Sequence, residues 1–268
     1  MSRQTETVER AGADEVLIRE CTTIEEFDNC VRLQRAVFGM PDLELSPRRH
    51  LIVSRAAGGW ILGAYAAASG ELVGFLHHLA AVRGAEIIGY SHMMAVSAAY
   101  QNRGLGARLK WAQRERALAE GRSFIRWTFE PMQARNAYFN LNRLGVVVRS
   151  YGVNFYGWDA GTEAVADGKQ FHLDSDRLIA EWELRTPRVE ACARGERPAL
   201  VAAAADAPAA TVEIPPDWNT LRREDGLAAQ RELRRVRSEF QQHLAAGLVC
   251  AGFARDAAHP CYLFFRES

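Results

Sequence analysis

Residues Gln101-Asn102-Arg103-Gly104-Leu105-Gly106 stand where an apolar run gives way to a helical pattern, and their types and spacing suit the holding of an anion. The first turn of a helix carries backbone N–H groups without intrahelical partners and a partial positive charge. Glycines at 104 and 106 let the main chain approach a phosphate closely, and Arg103 adds charge. Two familiar phosphate loops do not fit. The dinucleotide fingerprint needs a third glycine at 109, which is Leu109, and a parallel doubly wound setting. A nucleotide P-loop needs Gly-Lys-Ser/Thr, which the segment lacks.

The elements that must position this loop follow from periodicity. The stretch EVLIREC (15–21) predicts a short strand, and Thr22/Thr23 with Glu25/Glu26 form two overlapping capping boxes for a helix carrying Ile24, Phe27, Val31 and Phe38. WILGAYAAA from Trp60, ELVGFLHHLAAV after Ser69-Gly70 and AEIIGYSHMMAV after Arg83-Gly84 predict three strands of an antiparallel meander. The third strand runs into the glycine loop, after which Leu105, Leu109 and Ala112 keep helical spacing up to Gly121, a C′ residue. SFIRWTF (123–129) predicts another strand, followed by a second helix from about Ala134 to Leu144 ending at Gly145, so a βαβ unit lies beside the meander.

Beyond Gly145, VVVRSYGVNFYGW and DRLIAEWELR predict further strands, with Pro187 marking an end. The alanine-rich residues 199–210 are either a linker or a small-residue strand. TVEIP, a helix carrying Leu233, Val236, Phe240 and Leu244, and the strands LVCAGFA and CYLFFR predict a smaller αβ lobe. The expected division is a core over 14–160 and a C-terminal part over 161–268, with a linker within 187–211.

Composition narrows the function classes. Lys plus Arg and Asp plus Glu both total 33 in 268 residues, so no global basic field recruits nucleic acid. The five cysteines are scattered without a C-x-x-C pair, so no metal or redox motif is expected and a reducing, cytoplasmic setting fits. No apolar export segment opens the chain and no run of about 18 apolar residues occurs, so no membrane partner is expected.

Taken with its context, the signature Gln101-x-x-Gly104-x-Gly106 resembles that of the GNAT N-acyltransferase superfamily. It follows a meander, opens a helix, and is succeeded by strand and helix. The resemblance covers roughly residues 14–157, and SHMMAV, RWTFEP, RNAYFNLNRLG and SDRLIAEWEL look like a branch described only as predicted acetyltransferases. It implies an α+β fold: a mixed, mostly antiparallel sheet flanked by helices. The implied reaction is acyl transfer from coenzyme A (acetyl-CoA or another acyl-CoA as co-substrate, EC 2.3.1 type) to a small-molecule amine. The alternative is an inactive acyl-CoA-binding sensor or scaffold. A homodimer is compatible with either.

The resemblance also implies roles. Met94, Ala95 and Val96 would bond the pantetheine arm, with an N–H near Met94 on the thioester oxyanion. The amides of Gln101 to Gly106 would hold the pyrophosphate, Thr128 and Phe129 would line the neighbouring strand end, and Asn136 would stand near the cofactor. The register of the family's carboxylate base falls on Tyr90; one alternation on, His92 shares that face and has an imidazole pKa suited to proton uptake, or is a hydrogen-bonded core histidine. Glu130 at a strand end is the second candidate base, or a binder of the acceptor's ammonium, or a charged turn residue. The family's frequent proton-donating tyrosine falls on Leu141, with Tyr138 a turn earlier as substitute. At most one of His77 and His78 reaches the cleft, since neighbours on a strand face opposite sides.

Overall fold

The computed structural model describes residues 15–158, 163–166, 169–196 and 207–267. They form two compact units, divided between Ile125 and Arg126.

The first unit is a four-stranded antiparallel sheet in the order β1 (Val16–Glu20), β2 (Trp60–Ala66), β3 (Leu72–Arg83), β4 (Glu86–Val96), so the predicted meander is present. Its strands read as nearly continuous apolar runs because both faces are covered. Ile61, Tyr65, Leu72 and Phe75 pack with Phe27, Cys30 and Leu33 of α1 (Ile24–Phe38) and Leu51 of α2 (Arg48–Ala56). Trp60, Leu62, Ala64, Val73 and Leu76 pack with Leu105 and Leu109 of α3 (Leu105–Ala119) on the other face.

Helix α1 uses one of its two predicted capping boxes. Thr23 Oγ1 accepts from Glu26 N (3.2 Å), and Glu26 Oε2 accepts from the backbone N–H of Thr23 (3.0 Å) and of Thr22 (2.7 Å). Thr23→Ala is expected to lower stability by about 1 kcal/mol, read as a shift of the urea midpoint at unchanged slope. Helix α2 was not anticipated in sequence. Pro47 precedes it, and His50 and Ser54 are one turn apart on a common face.

The chain passes into the second unit through β5 (Phe124–Phe129). There, β5 neighbours β9 (Arg177–Glu183), and the order continues through β6 (Val147–Gly152), β11 (Leu248–Ala254), β12 (Cys261–Arg266) and β10 (Ala210–Glu213). A separate hairpin joins β7 (Glu163–Ala166) and β8 (Lys169–His172). Because β9 pairs with β6, Val147–Gly152 is joined to a strand that lies beyond residue 160. Buried Asp176 ties α7 (Gly226–Ala245) to these strands. Its carboxylate accepts from Arg237 Nε and Nη2 (both 2.8 Å), Tyr151 Oη (2.6 Å) and Asn154 N (3.0 Å).

Two expectations need correction here. The helix predicted from Ala134 to Leu144 is α-helical only over α4 (Ala134–Tyr138) and widens to a π turn over Phe139–Arg143. The carbonyls this loosens find other donors: Arg188 Nη2 reaches Leu141 O (2.6 Å) and Trp182 Nε1 reaches Leu144 O (2.8 Å). Pro187 begins rather than merely ends an element, as the first residue of α5 (Pro187–Ala193), where its missing N–H costs nothing. Helix α5 thus takes up the start of the expected 187–211 linker, and residues 197–206, with most of the alanine-rich run, lie outside the described residues. A short helix α6 (Trp218–Glu224) precedes α7.

Candidate functional site

Gly104 is the N-cap of α3 with φ +82°, and Asn102 two residues before it has φ +63°. These left-handed residues turn the chain from β4 into the helix, and the N-cap glycine makes no side-chain cap hydrogen bond. Leu105 and Leu109 bury beneath the sheet, which aims the α3 N-terminus toward the end of β4. Two contacts couple loop to strand. Gln101 Nε2 donates to Val96 O (2.9 Å), and a Cβ on Gly106 would lie 3.4 Å from Met94 Cε. Asn102, Arg103 and Gly104 are exposed, Ala95 is buried, and Met94 and Val96 are half-buried. The first unit therefore brings Met94, Ala95, Val96 and the segment Gln101–Gly106 together.

Helix α3 itself is held by polar groups as well as leucines. Lys110, buried on this helix, donates from Nζ to Ser91 Oγ (2.8 Å), and burial drives its ammonium well below its ordinary pKa. Gln113 meets His78 Nδ1 (2.9 Å). Arg122 Nη1 lies 2.8 Å from His78 Nε2 and can only donate, so that nitrogen keeps its lone pair and the ring is neutral. Trp60 stacks on the same ring at 4.0 Å.

His77 and His78 point to opposite faces, as expected. His77 turns toward α2, where Ser54 Oγ meets its Nε2 at 2.6 Å. The Ser54 hydroxyl hydrogen is spent on Leu51 O (3.0 Å), so His77 Nε2 is the donor of that pair and Nδ1 carries the lone pair. Burial, with His92 and His50 nearby, lowers the His77 pKa to about 3; burial, with Arg122 and Lys110, lowers that of His78 to about 2.

Both rings fold neutral, so the unfolded chain binds more protons below the ordinary imidazole pKa of about 6.5, and stability falls as pH drops through it. At pH 5.5 each ring is expected to cost about 1.4 kcal/mol relative to pH 7.5, together roughly 3 kcal/mol. Urea midpoints of the chain at the two pH values check this.

The β3–β4 register shifts between His77↔Met93 and His78↔Ser91, which leaves His92 as the extra residue of a bulge. The bulge puts His92 on the α2 side of the sheet together with Met93, which packs against the α1 cluster. His92 is half-buried, and its Nε2 lies 3.0 Å from Ser46 Oγ. Ser46 is fixed in turn by Gln34, which accepts from Ser46 N (2.9 Å) and donates to Ser46 O (3.1 Å). Burial and the neighbouring His50 lower the His92 pKa.

The other sequence candidates lie in the second unit. Thr128 Oγ1 bonds Tyr156 Oη (2.9 Å), and Glu130 Oε1 accepts from Trp218 Nε1 (3.0 Å). Asn136 is exposed on α4; Tyr138 is half-buried, with the Arg255 guanidinium 5.0 Å from its ring centre. Leu141 is fully buried in the π turn. Ser46, Gln34 and His50 were not singled out in the sequence, because their relation to His92 arises only when α1 and α2 pack on the sheet.

In this helix-flanked antiparallel sheet the fourth strand turns through glycines into a helix, an arrangement whose free backbone N–H groups suit an anion. Residues 26–142 match the model of the Acetyltransferase (GNAT) family. The match spans 117 of the 268 residues, and over that segment the chain is similar to acetyltransferases of that family.

Among solved structures, it is similar to a GNAT family acetyltransferase from Elizabethkingia anophelis with acetyl-CoA bound, at 15% identity over 63% of this chain and 97% of that one, with TM-score 0.46. It is also similar to an IAA acetyltransferase from Bacillus cereus, at 18% identity over 63% and 99% of the chains, with TM-score 0.46. A third is the ribosomal-protein-S18-alanine N-acetyltransferase from Escherichia coli, at 14% identity over 64% and 95%, with TM-score 0.48. A comparison with curated proteins found no match. No helix among the described residues is long and apolar enough to cross a membrane.

Proposed function

We propose that the chain transfers an acyl group, acetyl or another short acyl, from coenzyme A to the amine of a small molecule by direct attack on the thioester. The observation that carries this reading is the helix entrance at Gly104, open to an anion and coupled through Gln101 and Gly106 to the end of β4. The amides of residues 101–106 hold the pyrophosphate, with Arg103 adding charge. The backbone of Met94, Ala95 and Val96 bonds the pantetheine arm, and an N–H at Met94 steadies the oxyanion.

In this reading the substrate ammonium gives a proton to His92, and the free amine attacks the thioester carbon. The tetrahedral adduct then collapses, the C–S bond breaks, and the amide leaves. The thiolate, a fair leaving group with a thiol pKa near 8.5, takes up the proton that the amide nitrogen sheds and needs no dedicated acid. His92 suits the task because its lowered pKa leaves it neutral, and Ser46 holds its ring.

A second reading, acyl-CoA binding without turnover, is favoured by the buried Leu141 at the place of the family tyrosine. Calorimetric titration with acetyl-CoA, followed by a thiol-release assay with a pool of primary amines, separates the two. Binding with amine-dependent thiol release supports the enzyme, binding alone supports the sensor, and no binding at millimolar acetyl-CoA sinks both.

A further inference from the structure

Three imidazoles converge on the α1/α2 side of the first unit. His50 comes from α2, His77 from β3 and His92 from the bulge of β4. Their ring centres stand 5.4, 5.7 and 5.3 Å apart, each pair edge-on rather than stacked. One ring nitrogen from each lies within 4.8 Å of the others, and among the described residues this is the one such group of three potential ligands.

We propose that His50, His77 and His92 bind a divalent transition-metal ion of the zinc class. Imidazole nitrogen is a preferred donor for such ions, and three histidines with a fourth position left to water or ligand are a recurrent zinc set. His77 supplies the independent argument. It is fully buried, and its Nδ1 has no hydrogen-bond partner among the described residues. Leaving such a nitrogen unpaired costs free energy, which a bound ion recovers.

The ring is also oriented as a ligand needs. Ser54 Oγ accepts from Nε2, fixing the tautomer that leaves Nδ1 its lone pair, the outer-shell arrangement usual for metal-bound histidine. Ser46 Oγ lies 3.0 Å from Nε2 of His92 and steadies that ring. Zinc–nitrogen bonds of about 2.0 Å set neighbouring nitrogens roughly 3.3 Å apart in a tetrahedron. The exposed His50 is free to rotate in and close the remaining gap, and it provides the path of entry.

The site stands on its own geometry, and an ion held there occupies the His92 lone pair, so the metal-free chain is the form in which His92 takes up a proton. Its test is therefore binding: zinc affinity of the full chain, without an affinity tag, measured by competition with a chromophoric chelator, and the visible spectrum of the cobalt-loaded chain. One equivalent is expected, with tetrahedral cobalt bands and no intense thiolate-to-cobalt absorption. His50→Ala changes an exposed side chain and is expected to weaken zinc at least about tenfold. Ser54→Ala, which removes only the orienting hydroxyl, is expected to weaken it by about 10–100-fold. No zinc binding, His50→Ala with unchanged affinity, or a thiolate band placing the ion on cysteine would overturn the proposal.

Discussion

Gly104→Val is expected to raise the Kd for acetyl-CoA by about 10²–10⁴-fold in a calorimetric titration, with the fold retained. Gly104 has φ +82°, where an L-residue pays about 1–2 kcal/mol from contact of Cβ with the backbone, and a β-branched residue more. A Cβ there meets nothing within 4 Å, so the substitution creates no clash and the core is untouched. The strain is relieved by rotating the loop, which carries the amides of residues 101–106 away from the pyrophosphate. Hydrogen bonds to a charged group contribute about 1.5–3 kcal/mol each, so losing two accounts for roughly 3–6 kcal/mol. A valine variant with unaltered affinity would move the anion seat away from this helix entrance.

His92→Gln is expected to lower kcat/KM for amine acetylation by about 10²–10⁴-fold at pH 7.5, the usual contribution of a positioned general base. The pH profile carries the more specific signature. Burial and His50 lower the His92 pKa, so the ring remains able to accept a proton below the ordinary imidazole value of about 6.5. The wild-type profile should therefore keep its activity down through pH 6.5 and lose it only at more acid pH, whereas the glutamine variant should lack that limb. Full activity of His92→Gln between pH 6 and 9 would remove His92 from the reaction and leave water as acceptor.

The meander and the glycine loop were legible because their causes are local. Alternating apolar runs, tight turns at Ser69-Gly70 and Arg83-Gly84, and glycines before a leucine-spaced segment each act over a few residues. The capping at Thr23 was legible for the same reason. What could not be read was set by distant partners. The π turn at Phe139–Arg143 depends on Arg188 and Trp182 taking the carbonyls of Leu141 and Leu144. His92 was placed by simple alternation, but its position rests on a bulge whose register is fixed by β3. His50 drew no notice, because nothing near it in sequence indicates that α2 will lay it against His77 and His92.

The buried polar residues of α3 have a consequence for the distance between the anion seat and the reacting strand. A helix docked by leucines alone can slide along its axis, one leucine taking the next one's hollow, with a step of about 5.4 Å per turn. Lys110 on Ser91 and Gln113 on His78 forbid that slide, because each polar head has one matching socket and any other setting strands a buried amine or amide. The helix is indexed like a key in its lock. Since Ser91 is one residue from His92, the same tooth that sets the loop's height also sets the strand at the point where the proposed base departs from it.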